Sequence, residues 1–186
     1  MASTSPTRPS KGVGISHLVL NVRDIDVAEK FYTEVLGFEQ CGNLEGRPGM
    51  TMRFYRGADD HHHDLALVQV MDADKAPAPG KWSMAPRTTG INHIALCYPD
   101  RESWLAQINH MKAMDVEFLV RGNHGMTHSV YVADPDGNGI EVLYDLPDDV
   151  WQGDVNAALN YFELLPTDGP ETLEDNTDYK RFAPTS

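Results

Sequence analysis

The feature that most limits how this chain can fold is an internal repeat. The segments GISHLVLNVRDIDVAEKFYTEV (14–35) and GINHIALCYPDRESWLAQINHM (90–111) share one opening: Gly14, Ile15 and His17 return as Gly90, Ile91 and His93, each 76 residues on. In each copy a short strand leads into a helical stretch. In the first, Asp24 or Asp26 can cap a helix whose apolar positions Val27, Phe31, Val35 and Leu36 recur at helical spacing, and Gly37 stops it. Alternating runs follow at 50–55 and 65–70 after the first helix, and at 116–120, 129–133 and 140–144 after the second. The second half reads as strand, helix, three strands, and the repeat gives the first half the same plan although two late runs stand out there, which makes the fold class α+β with two tandem βαβββ modules.

The modules are expected at 13–72 and 90–146, forming a single domain over 13–146, with the Pro-, Ala- and Gly-rich stretch 73–89 as their linker. Residues 1–12 lack the apolar core of a secretory signal and read as a loose, disordered tail. The C-terminal extension, 147–186, contains VNAALNYFELL, which predicts a helix, and then an acidic stretch with little to pack, expected to drape or move. With 28 acidic against 15 basic side chains the formal charge is −13, so phosphate backbones and anionic bilayers are repelled, and neither nucleic acid nor membrane is expected as a partner. Two cysteines, Cys41 and Cys97, are too few for a disulfide framework, and no apolar run approaches the length of a membrane span. A reducing cytoplasm is the expected location.

Strand alternation places His17 on one face with Ile15 and Val19, and His93 with Ile91 and Ala95. A single histidine on an apolar face is ordinarily structural. Two at matching repeat positions would meet if the halves pack about a pseudo-twofold axis, and imidazoles brought together in this way need a reason such as a shared cation. Glu141 lies inside the β-rich run Ile140, Val142, Leu143, where a charge is costly unless it faces water, is paired or binds a metal. His17, His93 and Glu141 together make two neutral nitrogens and one carboxylate, the facial set that holds non-haem Fe(II) and leaves positions open for other ligands.

The two βαβββ halves with His17, His93 and Glu141 resemble the vicinal oxygen chelate superfamily over 14–144. That superfamily includes extradiol ring-cleaving dioxygenases, glyoxalase I, methylmalonyl-CoA epimerase, and fosfomycin and bleomycin resistance proteins. The resemblance implies a cup-shaped mixed sheet. Two further elements are similar to the small one-domain type I extradiol dioxygenases. HDLAL (63–67) looks like the element in which an acid-base histidine precedes a short apolar strand, which singles out His63 from the run His61, His62, His63 and leaves the other two as loop residues. By alternation His63 is expected on one strand face with Leu65, Leu67 and Gln69. HGMTHSVYVADPDGNGIEV (124–142) looks like the signature in which a histidine leads to a strand tyrosine and then the ligand Glu, placing His124, Tyr131 and Glu141 in those roles. The interval from His124 to Tyr131 is shorter than in larger relatives, and His128 is the alternative to His124.

What the resemblance implies is extradiol cleavage of a catechol or 2,3-dihydroxybiphenyl-type substrate by O2. Fe(II) would be held by His17, His93 and Glu141, with Mn(II) suited to the same ligands. His63 would be the proton-transfer residue, Tyr131 and His124 would hydrogen-bond substrate oxygens, and a homo-oligomer is expected. Trp82, Met84 and Trp151 are candidates to line or cover the cup. The runner-up is a metal-dependent epimerase or glyoxalase-like isomerase, since Gln69 stands near the place where glyoxalase I carries a fourth ligand. A drug-sequestering binder is the non-enzymatic alternative.

Overall fold

Each half of the repeat folds into one sheet backed by one helix. The computed structural model describes residues 14–57, 61–85 and 89–183, so the tail expected over 1–12 lies outside the described residues. The first half comprises β1 (Leu18–Val22), α1 (Ile25–Lys30) with a π-helical turn over Phe31–Val35, β2 (Glu39–Asn43), β3 (Met52–Arg56) and β4 (Leu65–Gln69). The second comprises β5 (His93–Tyr98), α2 (Arg101–Ala113), β6 (Val120–Asn123), β7 (Thr127–Ala133) and β8 (Gly139–Asp145). The C-terminal segment adds α3 (Asp148–Trp151), α4 (Val155–Leu159) and β9 (Glu163–Leu165). These elements form two mixed sheets with few helices, the α+β architecture expected.

Strand order is β1-β4-β3-β2 in the first sheet and β5-β8-β7-β6-β9 in the second. In both, the first and last strands of the module pair in parallel, and the other neighbours are antiparallel. Parallel pairing needs a crossover, which α1 and α2 begin. Asp24 caps α1 by accepting from the backbone N–H groups of Asp26 and Val27, Asp100 caps α2 through the N–H of Ser103, and Gly37 at φ +79° follows the π-helical turn.

Register assigns the two faces of each sheet. Leu18, Leu20 and Val22 of β1 share a face with Leu65 and Leu67 of β4, and this face joins Val130, Val132, Ile140 and Val142 of the second sheet in one buried cluster with Ile25 and Tyr32 of the first helix and Trp104, Ile108 and Met111 of α2. Each large side chain so buried contributes about 1.5–3 kcal/mol. Polar ties join the halves: the Tyr32 hydroxyl donates to Asp134 Oδ2 at 2.9 Å, and Gln107 Nε2 donates to the carbonyl of Val35 at 2.7 Å. The opposite faces carry His17 and Val19 in one sheet and His93, Glu141 and Tyr131 in the other, and we refer to these as the cup faces.

Four expectations are corrected. The strand expected at 116–120 begins only at Val120, because 116–119 carries the chain from the end of α2 to the edge of β7. The helix expected over VNAALNYFELL stops at Leu159, and Glu163–Leu165 instead becomes β9, since the edge of β6 offers unpaired backbone groups that an extended segment satisfies. The acidic end is docked at several points: Thr172, Asp175 and Phe182 are buried. Its Asp175 pairs with Arg121 and is hydrogen-bonded to His128, both buried on the core face of the second sheet. Finally, Trp151 packs against the core and donates to the Leu146 carbonyl at 3.2 Å.

Candidate functional site

The register of three adjacent strands builds the site. Ala95 on β5, Glu141 on β8 and Tyr131 on β7 lie side by side, and His93 and Ser129, two residues before Ala95 and Tyr131, share their face. The Glu141 carboxylate is the hub. Its Oε1 accepts from Ser129 Oγ at 2.6 Å and from the Tyr131 hydroxyl at 2.7 Å, while its Oε2 stands 3.1 Å from His93 Nε2. His124, at the end of β6, brings Nε2 to 3.0 Å from the Tyr131 hydroxyl and 3.9 Å from Glu141 Oε1. Because that hydroxyl gives its proton to Glu141, it accepts from His124, which makes Nε2 the protonated nitrogen of His124.

Burial sets the electrostatics. The Glu141 side chain is 8% exposed, against 33% for His93 and 26% for His124. Burial, reinforced by the bond to Glu141, pushes the Tyr131 phenol far above the ordinary tyrosine range. Burial also holds the His124 imidazole below the usual histidine value, with the Glu141 charge opposing and His93 and His128 assisting. His124 and Tyr131 are therefore both neutral donors at neutral pH.

The donor set at His93 and Glu141 fits a divalent metal. His93 Nδ1 lies 2.7 Å from Asn92 Oδ1, an acceptor that holds the ring proton on Nδ1. That leaves Nε2 facing Glu141 Oε2 at 3.1 Å, an imidazole nitrogen and a carboxylate oxygen close enough to ligate one cation together. The third expected ligand is not part of this arrangement. His17 lies ahead of β1 in the first half, where its ring centroid is 4.5 Å from that of His63, and among the described residues no group of three His, Cys, Asp or Glu is placed to hold a metal ion. A cavity of about 180 Å³ lies between the two edge strands, lined by His17 and Leu18 on one side and Ala95 and Ile140 on the other.

The histidine run resolves into separate environments. His61 Nδ1 is 2.7 Å from Asp64 Oδ1, and His62 Nδ1 is 2.6 Å from His63 Nδ1. His63 also packs edge-on against Phe54 at 5.2 Å. Phe54 pairs with Ala66, on the face opposite Leu65 and Leu67. The expectation that His63 shares a strand face with Leu65 is thus corrected: it precedes the strand, and the bend turns it toward His17 instead. Burial first, then the neighbouring His17, His62 and His61, lowers its proton affinity, with Asp64 opposing.

Alternation removes two alternatives. His128 is one residue out of phase with Ser129 and Tyr131, so it lies on the core face, 2.8 Å from Asp175 Oδ1, and cannot replace His124. Gln69 pairs with Val22 and accepts from the Ile25 backbone N–H at 3.2 Å, which makes it a cap of α1 rather than a residue of the cup. Sequence reasoning missed Ser129 as a partner of Glu141; its place two residues before Tyr131 was the available signal. It also missed Phe162, whose ring stands 5.0 Å from that of His124.

Comparison with known proteins gives the following. The family described as the Glyoxalase/Bleomycin resistance protein/Dioxygenase superfamily matches residues 14–142. Catechol-2,3-dioxygenase of Bacillus subtilis (strain 168) is 27% identical over 140 residues, covering 75% of this chain and 44% of that protein. Biphenyl-2,3-diol 1,2-dioxygenase 3 of Rhodococcus globerulus is 28% identical over 131 residues, covering 70% of this chain and 63% of that protein. Lactoylglutathione lyase of Pseudomonas putida is 29% identical over 154 residues, covering 71% and 85%. The chain thus spans about half the length of the dioxygenases it matches. A crystal structure of a glyoxylase/bleomycin resistance protein/dioxygenase domain from Frankia sp. EAN1pec superposes with a TM-score of 0.59 at 15% identity, covering 73% of this chain and 100% of that one, a likeness of fold.

Proposed function

Since this chain belongs to the Glyoxalase/Bleomycin resistance protein/Dioxygenase superfamily, we propose that it cleaves a catecholic ring with O2, breaking the carbon–carbon bond beside the two hydroxyls. The observation that carries this reading is the set around Glu141: a buried carboxylate 3.1 Å from His93 Nε2 and hydrogen-bonded to Tyr131, which is hydrogen-bonded in turn to His124. An isomerase of the same superfamily has no evident use for that tyrosine–histidine pair, and Gln69, its candidate fourth ligand, is turned away as the cap of α1.

His93 and Glu141 would hold the metal, with His17 completing the set from the first half. Bound there, Fe(II) supplies one centre at which the diol oxygens and O2 meet, and Mn(II) suits the same donors. Ser129 and Tyr131 orient the Glu141 carboxylate, and Asn92 orients the His93 ring. His124, a neutral donor at Nε2, and the Tyr131 hydroxyl hydrogen-bond the substrate oxygens. His63, beside His17, takes a proton from the second hydroxyl and returns it as the ring opens. Both atoms of O2 enter the product, which for catechol is the yellow 2-hydroxymuconic semialdehyde. The test is anaerobic reconstitution with Fe(II), then exposure to a panel of catechols in air. Yellow product with matching oxygen uptake is expected; α-proton exchange on a methylmalonyl thioester without oxygen uptake would overturn the proposal.

A further inference from the structure

Two aromatic rings that neither metal holding nor proton transfer requires stand over the cup face of the second sheet. One arrives from the C-terminal segment. Leu164 of β9 pairs with Gly122 of β6, and the chain leading into that strand lays the Phe162 ring on Gly122, where any Cβ would collide with the ring. Gly122 pairs with Ser129, so this seat lies on the face that carries Glu141. The ring tilts 45° against His124 at 5.0 Å and remains 46% exposed. The other ring arrives from the linker. Trp82 sits over Gly139, where a Cβ would collide with the indole, and Gly139 pairs with His93. Its ring stacks on Tyr131 at 5.1 Å and 11°, and its Nε1 donates to the Asn92 carbonyl at 2.7 Å.

Both glycines are thus seats at register positions flanking the polar set. A glycine inside a strand weakens it unless something approaches closely, and at each of these two positions an aromatic ring does. From this geometry we infer that Phe162 and Trp82 are the two aromatic walls of a slot for a flat ring, and that Phe162 is a specificity-determining residue of the site. This rests on the ring-cleaving reading above and deepens it. Offset and edge-to-face contacts reward a planar aromatic substrate and give an aliphatic thioester much less. Phe162 stands beside His124, so a second ring on the diol gains most from it.

The full chain, loaded anaerobically with Fe(II), is titrated with catechol and with 2,3-dihydroxybiphenyl. Binding is followed by quenching of tryptophan emission, with the Trp82 share identified by its loss in Trp82→Phe, and oxygen uptake is measured in parallel. Phe162→Ala is expected to weaken binding of the biphenyl diol and raise its KM on the order of tenfold, with a smaller effect on catechol and on kcat. Phe162→Leu should recover part of the loss by bulk alone, and Gly122→Ala, which lifts the ring from its seat, should reproduce it. If Phe162→Ala is poorly folded by circular dichroism, Phe162→Leu and Gly122→Ala decide. Wild-type binding in these variants, or no quenching by either diol in the unaltered protein, overturns the walls and leaves the proposed reaction to its own test. Quenching that weakens in Phe162→Ala in a protein that consumes no oxygen with any diol keeps the walls and overturns the reaction.

Discussion

At the scale of single residues, the centre of this protein is the distribution of protons around Glu141. One carboxylate oxygen is occupied by Ser129 and Tyr131, and the other faces His93. Replacing Glu141 with Ala should therefore release most of the bound metal while the fold persists, measured as iron per chain after reconstitution and desalting; full retention would remove Glu141 from the ligand set. Ser129→Ala leaves the carboxylate one donor short and should weaken metal affinity by roughly 10- to 100-fold, the range for residues that orient a ligand. The three adjacent histidines offer an internal comparison. His63→Phe should bind iron and catechol yet lose about two to four powers of ten in turnover, as expected on removing a proton-transfer group. His61→Phe and His62→Phe should cost little, since His61 is engaged by Asp64 and the His62 ring stands farther from that of His17, at 6.3 Å, than the His63 ring does, at 4.5 Å. Equal losses from all three would mean that the run acts as one structural loop.

At the scale of elements, the C-terminal segment matters because it is tied to the sheet by buried charge. Asp175, with 1% of its side chain exposed, meets His128, Arg121 and Arg101, and the Tyr144 hydroxyl donates to it. Burial raises the proton affinity of this carboxyl, but the bond and charge of His128, the bond from Tyr144 and the charge of Arg121 outweigh it, leaving it below its ordinary value. A depressed value means that the stabilisation is fully present above the unfolded carboxyl's 3.8 and is lost as pH falls below it. Asp175→Asn should accordingly flatten the acid limb of a stability-versus-pH curve. At neutral pH it should cost on the order of 3 kcal/mol in urea denaturation, because Arg121 loses its counter-charge in a buried place. An unchanged acid limb would show that the docking does not depend on this carboxylate. The same element carries β9, so loosening it would also withdraw Phe162 from its seat.

At the scale of the whole molecule, the repeat gives two half-sites on two sheets. The halves are tied on their core side by Tyr32 to Asp134, Gln107 to the Val35 carbonyl and His110 to the Glu34 carbonyl at 2.7 Å. On the cup side the described conformation keeps His17 with His63, apart from His93 and Glu141. A metal shared by His17, His93 and Glu141 would have to draw the two edge strands together. Saturating Fe(II) or Mn(II) should then raise the unfolding free energy by about 2.7 kcal/mol at a hundredfold excess over Kd, and it should slow amide exchange at both 16–18 and 92–95. Protection confined to the second stretch would leave His17 out of the metal site.

How much of this was legible in the sequence depends on how local each feature is. The Gly-Ile-x-His repeat, the cap at Asp24 and the alternation around Tyr131 and Glu141 are written within a few residues of one another, because backbone geometry converts short patterns directly into strands, helix starts and faces. The two-module α+β fold follows from those patterns, whereas the grouping of His93, His124, Tyr131 and Glu141 was implied by the family resemblance, and it is the register of β5, β8 and β7 with the exit of β6 that brings the four together. What only the tertiary structure decided involves partners far apart in the chain. His128 and His124 are nearly equivalent as a string, but the phase of β7 sends one to Asp175 and leaves the other beside Tyr131. The stretch VNAALNYFELL carries a helical pattern throughout, yet the open edge of β6 claims its last residues as a strand. The acidic end has too few apolar residues to announce a docking site, and it is held by a buried arginine that needs a counter-charge and a buried histidine that needs a hydrogen-bond partner, needs that appear only once both are buried.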